Sequence, residues 1–365
     1  MQMRAWRMHE AGQPMRLDSM ASPTPADGQV LVRVVGCGVC HTDLGFFYEG
    51  IRTVKSLPLT LGHEISGMVE QAGPDVTEWI GRPVIVPAVL PCGDCELCAK
   101  GRGTICRRQQ MPGNHVDGGF ASHLVVPARD LCVVDVDDET APFADSGVTL
   151  RELAVVADAV TTPYQAVKDC EVGEGDVAVF VGAGGIGAFG VQIAKALGAT
   201  VIAVDINDRR LDRVARHGAD LTVNSGKIEP REIRRTLRDY VKQNSLNPFE
   251  WKTLECSGTA SGQQVAFGLL THGATLGVVG FTLETIQLRL SNLMAFDARA
   301  IGNWGCHPRY YPEALELVAQ GRIKLRPFVE SFALDRINEV FDRLHRRELD
   351  RRPILFPDSL EETTS

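Results

Sequence analysis

A glycine-rich turn between an apolar strand and an alanine-rich helix constrains this chain more than any other feature of its sequence. The strand is V-A-V-F-V at Val177–Val181, the turn is G-A-G-G-I-G at 182–187, and the predicted helix runs from about Ile186 to Leu197. In this context the spacing G-x-G-x-x-G is a dinucleotide-binding fingerprint, because free N–H groups at the helix N-terminus attract a pyrophosphate. The phosphate-binding candidates are Gly182, Gly184, Gly185, Ile186 and Gly187.

The next predicted strand, Thr200–Val204, leads into Asp205. A carboxylate at this point can accept hydrogen bonds from a ribose 2′-hydroxyl and would repel a 2′-phosphate, so we expect NAD rather than NADP as cofactor. Arg209 and Arg210 follow closely and leave NADP open, since a guanidinium can accommodate a 2′-phosphate. A glycine turn that holds no nucleotide is the remaining alternative.

Strands and helices alternate around this turn. After the strand T-V-I-A-V come a helix near Arg209–His217 and the strand A-D-L-T-V, and later strands are predicted at T-L-E-C, A-T-L-G-V-V and A-R-A-I. Such alternation predicts a doubly wound parallel sheet. The first ~150 residues instead contain short β-branched runs, such as G-Q-V-L-V-R-V-V-G at 28–36, which predict a mostly-β domain. A helix at Tyr311–Gln320 precedes mixed segments, and the acidic tail Asp358–Ser365 is expected to fray.

Four cysteines occupy one short window of the mostly-β region. Cys92, Cys95, Cys98 and Cys106 follow the spacing C-x2-C-x2-C-x7-C, which matches a closed tetrahedral zinc site with a structural role. An iron–sulfur cluster or a disulfide knot is the alternative, and a knot requires an oxidising compartment. The other six of the ten cysteines are scattered, which suggests reduced thiols and a cytoplasmic protein.

Charge and composition exclude some partners. The formal net charge of −8 disfavours nucleic acid or an anionic membrane as the main partner, because proteins that bind them usually carry a basic surface. No uninterrupted apolar run approaches the ~18 residues of a membrane span, and the first residues lack a signal-peptide core. The length of 365 residues suits two domains.

Two further stretches carry metal-ligand residues, G-V-C-H-T-D at 38–43 and L-G-H-E at 61–64. Together with the cysteine window and the glycine turn they resemble the zinc-dependent medium-chain alcohol dehydrogenases, and the resemblance extends to R-R-P-I-L-F-P at 351–357. It implies an α/β chain with a GroES-like, mostly-β catalytic domain and a Rossmann cofactor domain. The implied domains are a catalytic domain at 1–157 with a zinc lobe at 92–106, an NAD-binding domain at 158–296, and a segment returning to the catalytic domain at 297–365.

The same resemblance implies a role for individual residues. A catalytic zinc is expected on Cys40, His63 and Asp158, the last of which stands where the family often has a cysteine. A carboxylate is an acceptable zinc ligand. Cys37, close to Cys40, is the rival ligand. The other implied roles are an additional or alternate zinc ligand at Glu64, an acceptor for the second ring N–H of His63 at Asp43, a proton acceptor at Thr42, and pyrophosphate contacts from His41 and Arg352.

One position departs from the family pattern. Many members have a histidine three residues after the threonine, where it relays the proton to solvent, and this chain has Gly45 there. The proton must therefore leave through water, a ribose hydroxyl or another side chain. Phe46, Phe47, Tyr48 and Trp304 are predicted to line an apolar substrate pocket.

Longer runs resemble one branch of the family. C-G-V-C-H-T-D-L-G-F and M-P-G-N-H-V-D-G-G-F-A-S-H-L-V-V-P-A-R look like the 6-hydroxycyclohex-1-ene-1-carbonyl-CoA dehydrogenases of anaerobic benzoyl-CoA degradation, which oxidise a ring hydroxyl to the 6-oxo product with NAD. The resemblance implies a cyclic hydroxyacyl-CoA substrate, NAD, two zinc ions per chain, and a homo-oligomer, either a dimer or a tetramer. Cations that could meet CoA phosphates are Lys100, Arg102, Arg107 and Arg108. The alternatives are a dehydrogenase of a free cyclic or benzylic alcohol, and a non-enzymatic protein that binds zinc and NAD.

Overall fold

The computed structural model describes residues 2–357 of the chain. Its strands are β1 (Gln2–Arg7), β2 (Arg16–Ala21), β3 (Gln29–Gly38), β4 (Glu64–Ala72), β5 (Pro83–Val86), β6 (His123–Pro127), β7 (Cys132–Val133), β8 (Val177–Val181), β9 (Thr200–Asp205), β10 (Leu221–Asn224), β11 (Lys252–Glu255), β12 (Thr275–Val278), β13 (Arg299–Gly302), β14 (Val329–Ala333) and β15 (Arg352–Phe356). Its helices are α1 (His41–Tyr48), α2 (Glu96–Ala99), α3 (Thr161–Asp169), α4 (Gly187–Ala196), α5 (Asp208–Ala215), α6 (Pro230–Gln243), α7 (Ala260–Gly268), α8 (Ser291–Phe296), α9 (Tyr311–Ala319) and α10 (Ile337–His345).

These elements fall into two units. The first comprises residues 2–158, Gly305–Ala319 and 328–357, and the second comprises Ala159–Trp304 and Gln320–Pro327. Among the described residues, no helix combines the length and the apolar composition that a bilayer crossing requires. The tail at 358–365, for which fraying is expected, lies outside the described residues.

A parallel sheet organises the second unit. Its strands lie in the order β10-β9-β8-β11-β12-β13, and every neighbouring pair is parallel. Numbered from β8, this is the 3-2-1-4-5-6 order of a doubly wound Rossmann sheet. All five residues of β8 are buried, as expected for a central strand covered on both faces. The prediction of a doubly wound sheet is confirmed.

A mixed sheet organises the first unit. The strand order is β14-β15-β3-β4-β5-β7, and β6 pairs with β3 as well. Most neighbouring strands are antiparallel, but β14 and β15 are parallel. The core contains Ile65, Phe120 and Phe341, each fully buried. The first unit is therefore mostly β, as predicted.

The structure divides the chain at different residues from those expected. The boundary predicted at 297 is too early, because β13 pairs with β12 and extends the second unit to Trp304. Asp158 ends the first segment of the first unit instead of opening the cofactor domain. The return segment is interrupted as well, because Gln320–Pro327 belong to the second unit.

Candidate active site

The four cysteines of the window converge on one point. The sulfur atom of Cys106 lies 3.3 Å from that of Cys92 and 3.5 Å from that of Cys95, while Cys98 lies 3.5 Å from Cys95 and 3.9 Å from Cys92. Ligands ~2.3 Å from a tetrahedral zinc stand about 3.8 Å apart, so the four thiols fit one zinc ion. These separations are far longer than the ~2.05 Å of an S–S bond, which excludes the disulfide knot.

A second cluster joins Cys40, His63 and Asp158 within the first unit. The Asp158 Oδ2 atom lies 3.6 Å from Cys40 Sγ and 3.6 Å from His63 Nε2, and one ligand atom of each residue falls within 4.8 Å of the others. His63 is 1% exposed, and neither of its ring nitrogens makes a hydrogen bond in the described part of the chain. A zinc ion would provide a partner for the Nε2 atom of His63, and three protein ligands would leave a fourth position open for substrate. The residues present therefore fit a catalytic zinc ion.

Local structure brings these ligands together. Cys40 is the N-cap of α1, two residues after the end of β3, and Asp158 follows the 3₁₀ helix Glu152–Ala157. The buried carboxylate of Asp43 accepts hydrogen bonds from the Cys40 N–H at 2.9 Å and the Gly62 N–H at 3.1 Å. It thus ties the segment that carries Cys40 to the segment that carries His63. Asp43 Oδ1 also lies 3.5 Å from His63 Nδ1, near the predicted contact but longer than a normal hydrogen bond.

Cys37 is not part of the cluster. It is fully buried, and its sulfur would lie 2.7 Å from a Cβ atom placed on Gly62. Gly62 has a φ of +95°, a conformation that only glycine adopts without strain, and a side chain there would also strike Phe120. Cys37 therefore packs against Gly62, the residue before His63, and Cys40 is the thiol that faces the cluster.

Glu64 and Arg352 pair with each other. The Arg352 Nε donates to Glu64 Oε2 at 2.6 Å, and its Nη2 donates to Glu64 Oε1 at 2.5 Å. Glu64 is 0% exposed and Arg352 is 6% exposed. Burial raises the pKa of Glu64, whereas the guanidinium opposes this rise and stabilises the carboxylate. Glu64 does not join the grouped ligand atoms, so its role as a zinc ligand and the pyrophosphate contact of Arg352 stay predictions that this pairing does not favour.

Helix α1 presents a polar residue to the cluster and apolar residues to the core. Thr42 Oγ1 lies 3.6 Å from Cys40 Sγ, where a proton acceptor for the substrate was expected. Phe46 and Phe47 are buried in the core, and the Phe47 ring packs edge-on against Phe341 at 5.5 Å. Their assignment to a substrate pocket stays a prediction, which the inward packing of this face of α1 does not favour. The Tyr48 hydroxyl donates to Asp342.

The glycine turn of the second unit has the shape of a phosphate cradle. Gly182 has a φ of +97°, and a Cβ atom on it would lie 2.6 Å from Ser257 N. A Cβ atom on Gly187 would lie 1.8 Å from the Gly182 carbonyl oxygen. At Gly184, by contrast, nothing lies closer than Arg210 Nη1 at 3.5 Å, which leaves the backbone open to a ligand. The first and third glycines thus shape the turn, and the second admits the phosphate.

Asp205 is tied to this turn. Its Oδ2 accepts the Ala183 N–H at 2.7 Å, and its Oδ1 accepts the Asn207 N–H at 2.9 Å. The side chain is buried at the end of β9. The structure therefore brings the predicted acid and the predicted glycines together. It adds Arg210 beside Gly184, a residue that the sequence indicated only as a possible NADP partner.

Known proteins are similar to this chain over nearly its whole length. Residues 26–138 match the family model described as alcohol dehydrogenase GroES-like domain, and residues 185–320 match that described as zinc-binding dehydrogenase. An alcohol dehydrogenase from Geobacillus stearothermophilus is 31% identical over 98% of this chain and 100% of its own length. An NAD-dependent alcohol dehydrogenase from Sulfurisphaera tokodaii is 29% identical over 97% and 100%. The crystal structure of the Aeropyrum pernix alcohol dehydrogenase, 29% identical, aligns with a TM-score of 0.84 over 97% of this chain and 100% of that one.

The chain belongs to the zinc-dependent medium-chain alcohol dehydrogenase family. The two matched regions agree with the GroES-like domain and the Rossmann domain that the sequence predicts. The two clusters of potential ligands agree with the two predicted zinc sites. Identities near 30% support the family and do not support the CoA-ester branch.

Proposed function

We propose that this protein oxidises a free cyclic or benzylic alcohol to the carbonyl compound with NAD as hydride acceptor. The cluster of Cys40, His63 and Asp158 is the observation that carries this proposal, because three grouped ligands would leave the fourth position of a bound zinc ion open to substrate. The preference for NAD is supported by Asp205, which is held at the glycine turn, and by the similarity to an NAD-dependent relative.

Several residues of the first unit would have separate roles in the reaction. Zinc in the cluster would supply Lewis-acid polarisation of the substrate hydroxyl, and NAD would supply the hydride acceptor. Asp43 holds the two ligand segments together through the Cys40 and Gly62 N–H groups. Thr42 Oγ1 accepts the hydroxyl proton and passes its own to water, so that oxidation of the alcohol releases one hydride and one proton.

Gly45 shapes the proton exit. A Cβ atom on Gly45 would lie 2.9 Å from Ile51 Cδ1, so Ile51 occupies the position where a relay histidine would begin. The proton therefore leaves Thr42 through water rather than through a side chain at this position.

A cyclic hydroxyacyl-CoA thioester is the second candidate substrate. It is supported by the long runs that resemble the 6-hydroxycyclohex-1-ene-1-carbonyl-CoA dehydrogenases. Two of the cations expected to meet CoA phosphates have other partners, because Lys100 pairs with Glu96 at 2.5 Å and Arg108 pairs with Asp94 at 2.5 Å. The free alcohol is therefore the better supported substrate.

Two further proposals concern the state of the protein. The second unit exposes the large apolar side chains of Leu283, Leu290 and Met294, and β13 is an edge strand of its sheet, which supports a homo-oligomer. None of the ten cysteines, all of which lie among the described residues, forms a disulfide bond, which supports a reducing compartment such as the cytoplasm.

NADH absorbance provides the test. The purified protein is assayed with cyclohexanol, 2-cyclohexen-1-ol, benzyl alcohol and 6-hydroxycyclohex-1-ene-1-carbonyl-CoA, each with NAD and with NADP. We expect turnover of a free alcohol with NAD, and its loss in a Cys40→Ser variant. Turnover of the thioester alone would replace the proposal with the CoA-ester reading. Absence of turnover with every alcohol, by protein shown to contain zinc, would contradict the dehydrogenase activity.

A further inference from the structure

A buried carboxylate lies at the carboxyl end of the parallel sheet in the second unit. Glu255 is the last residue of β11, and it is 0% exposed. Burial raises the pKa of this carboxyl group, and hydrogen bonds from the turns after β11 and β12 oppose the rise. A buried carboxylate is costly unless it is hydrogen-bonded, so the donors around Glu255 indicate what it holds in place.

The side chain of Glu255 fastens the turn that follows β11. Its Oε1 atom accepts the N–H groups of Ser257 at 2.7 Å and Gly258 at 3.1 Å, and also the Ser257 hydroxyl at 2.5 Å. The Ser257 hydroxyl in turn accepts the N–H of Thr259 at 3.2 Å. Thr259 is the N-cap of α7, and its side chain accepts the Gly262 N–H at 3.0 Å. Three donors on one oxygen therefore fix the path of the chain from β11 into α7.

The turn after β12 is fastened to the same residue. The main-chain carbonyl of Glu255 accepts the N–H groups of Val279 and Gly280, each at 2.9 Å. A Cβ atom on Gly280 would lie 2.3 Å from Gly258 N and 2.7 Å from Glu255 Oε2, so only glycine fits there. The turns after β11 and β12 therefore pack backbone against backbone, with Glu255 in contact with both.

The glycine turn after β8 packs against the turn after β11. A Cβ atom on Gly182 would lie 2.6 Å from Ser257 N, and one on Gly187 would lie 3.2 Å from Cys256 Cβ. Strands β8 and β11 are parallel neighbours that begin the two halves of the sheet. At such a switch point a dinucleotide binds in the crevice outside the carboxyl ends of the strands. The turn after β8 thus forms one wall of this crevice, and the turn after β11 forms the other.

Each half of a doubly wound sheet binds one mononucleotide of the cofactor. The half that begins with β8 contains the glycine turn and Asp205, which are expected to bind the pyrophosphate and the adenosine ribose. The half that begins with β11 contains the two turns that Glu255 fastens. These turns are therefore on the side that would receive the nicotinamide mononucleotide.

We propose that Glu255 is a positioning residue for the nicotinamide half of the cofactor. It holds the turns after β11 and β12 in place before the dinucleotide binds, so that less of the binding free energy is lost in ordering them. Glu255 acts through Ser257, Gly258 and Gly280 rather than by contact with the cofactor. The inference rests on the NAD-binding part of the proposed function, and on neither the zinc cluster nor the identity of the alcohol.

Binding measurements provide a test that needs neither alcohol nor turnover. Isothermal titration calorimetry gives the Kd of NAD and that of AMP, which contains only the adenosine half. The parent protein is compared with Glu255→Gln, Asp205→Ala and the control Glu250→Gln. Glu250 is a matched control because it lies just before the opposite end of β11, is exposed, and accepts a hydrogen bond from Asn247 Nδ2 at 3.3 Å.

The variants are expected to separate the two halves of the cofactor. Glu255→Gln should raise the Kd of NAD by about ten-fold or more, the effect of losing one hydrogen bond to a charged group, and should leave the Kd of AMP unchanged. Asp205→Ala should weaken the binding of both ligands, because it acts on the adenosine half. Glu250→Gln should bind both ligands as the parent does. In turnover assays Glu255→Gln should raise the KM for NAD and leave kcat at saturating NAD unchanged, as loss of uniform binding does.

Two results would overturn the inference alone. One is an unchanged Kd of NAD in Glu255→Gln, and the other is an equal loss of NAD and AMP binding, which indicates a general loss of structure in the second unit. A parent protein that binds neither NAD nor NADP would overturn the proposed function as well.

Thermal unfolding shows whether each variant is folded. If Glu255→Gln does not fold, Ser257→Ala replaces it, because it removes the hydroxyl that donates to Glu255 and accepts from Thr259. It should raise the Kd of NAD by about two- to ten-fold, the effect of a neutral hydrogen bond, with the Kd of AMP unchanged. An unchanged Kd of NAD in Ser257→Ala would then contradict the inference.

Discussion

Replacement of Asp43 by asparagine should loosen both segments that carry the catalytic ligands. The carboxylate is 0% exposed and accepts the N–H groups of Cys40 at 2.9 Å and Gly62 at 3.1 Å. An amide offers one oxygen and one NH₂ group, so one backbone N–H loses its acceptor and faces a donor. A hydrogen bond to a charged group contributes ~1.5–3 kcal/mol and a buried unsatisfied donor costs ~1–3 kcal/mol, so the free energy of unfolding should fall by about 2.5–6 kcal/mol.

Zinc release measures this loss at the site itself. The protein is mixed with an excess of a chromogenic chelator, and zinc appears in two phases, one from each cluster. Asp43→Asn should accelerate the phase of the catalytic cluster by roughly 10–100-fold, the usual effect of removing a group that supports metal ligands. The phase of the four-cysteine lobe should not change.

Asp75→Asn is the matched control. Asp75 Oδ1 also accepts one backbone N–H, that of Gly28 at 2.7 Å, but in an exposed loop. The control should shift stability by no more than about 0.5 kcal/mol, as surface substitutions usually do. If Asp43→Asn releases zinc no faster than this control and unfolds at the same temperature, the two hydrogen bonds do not hold the ligand segments together.

Three further predictions concern metal, cofactor and assembly. Elemental analysis should find about two zinc ions per chain, about one in Cys106→Ser with loss of stability, and about one in Cys40→Ser with the fold retained and no turnover. Asp205→Ala should narrow the preference for NAD over NADP by ~1–3 kcal/mol, measured as the ratio of the two kcat/KM values, and equal values in the parent would overturn this. Met294→Glu should reduce the oligomer mass in light scattering, because Met294 is 77% exposed on the apolar surface of the second unit; an unchanged mass would place the interface elsewhere.

Features whose residues lie close together in the sequence could be predicted from it. The four ligands of the lobe lie within one short window, so their spacing alone indicates a metal site. The glycine turn at 182–187 could also be predicted, because the strand, the glycines and the helix follow one another directly in the sequence. In both cases one element of the chain contains the whole signal.

Helix α6 carries a signal that the prediction did not use. Its buried residues Ile233, Leu237 and Val241 recur every four positions, and Pro230 stands at its first turn after a capping box from Glu229. This pattern indicates an amphipathic helix that could have been found from the sequence.

Contacts between distant residues could not be predicted without the structure. Cys40 and Asp158 are 118 residues apart, and only the resemblance to the family predicted that they share one site. Arg352 and Glu64 were both identified, but a charge in a sequence does not show which opposite charge it meets. Phe47 shows the same limit for packing, because an apolar residue on a short helix suits a pocket and a core equally well until the neighbouring Phe341 is known.

The sheet of the first unit has a consequence for biosynthesis. Strand β15 lies between β14 and β3, with Ile354 opposite Gly38 and Leu355 opposite Cys37. During translation, the residues of β3 that pair with β15 are made about 300 residues before it. At ~5–20 residues per second, this delay is roughly 15–60 s. The whole second unit, including Gln320–Pro327, is synthesised within that interval. We expect the end of β3 at Cys37 and Gly38 to lack this partner throughout this time, and the nascent chain to depend on chaperones until Arg352 has left the ribosome.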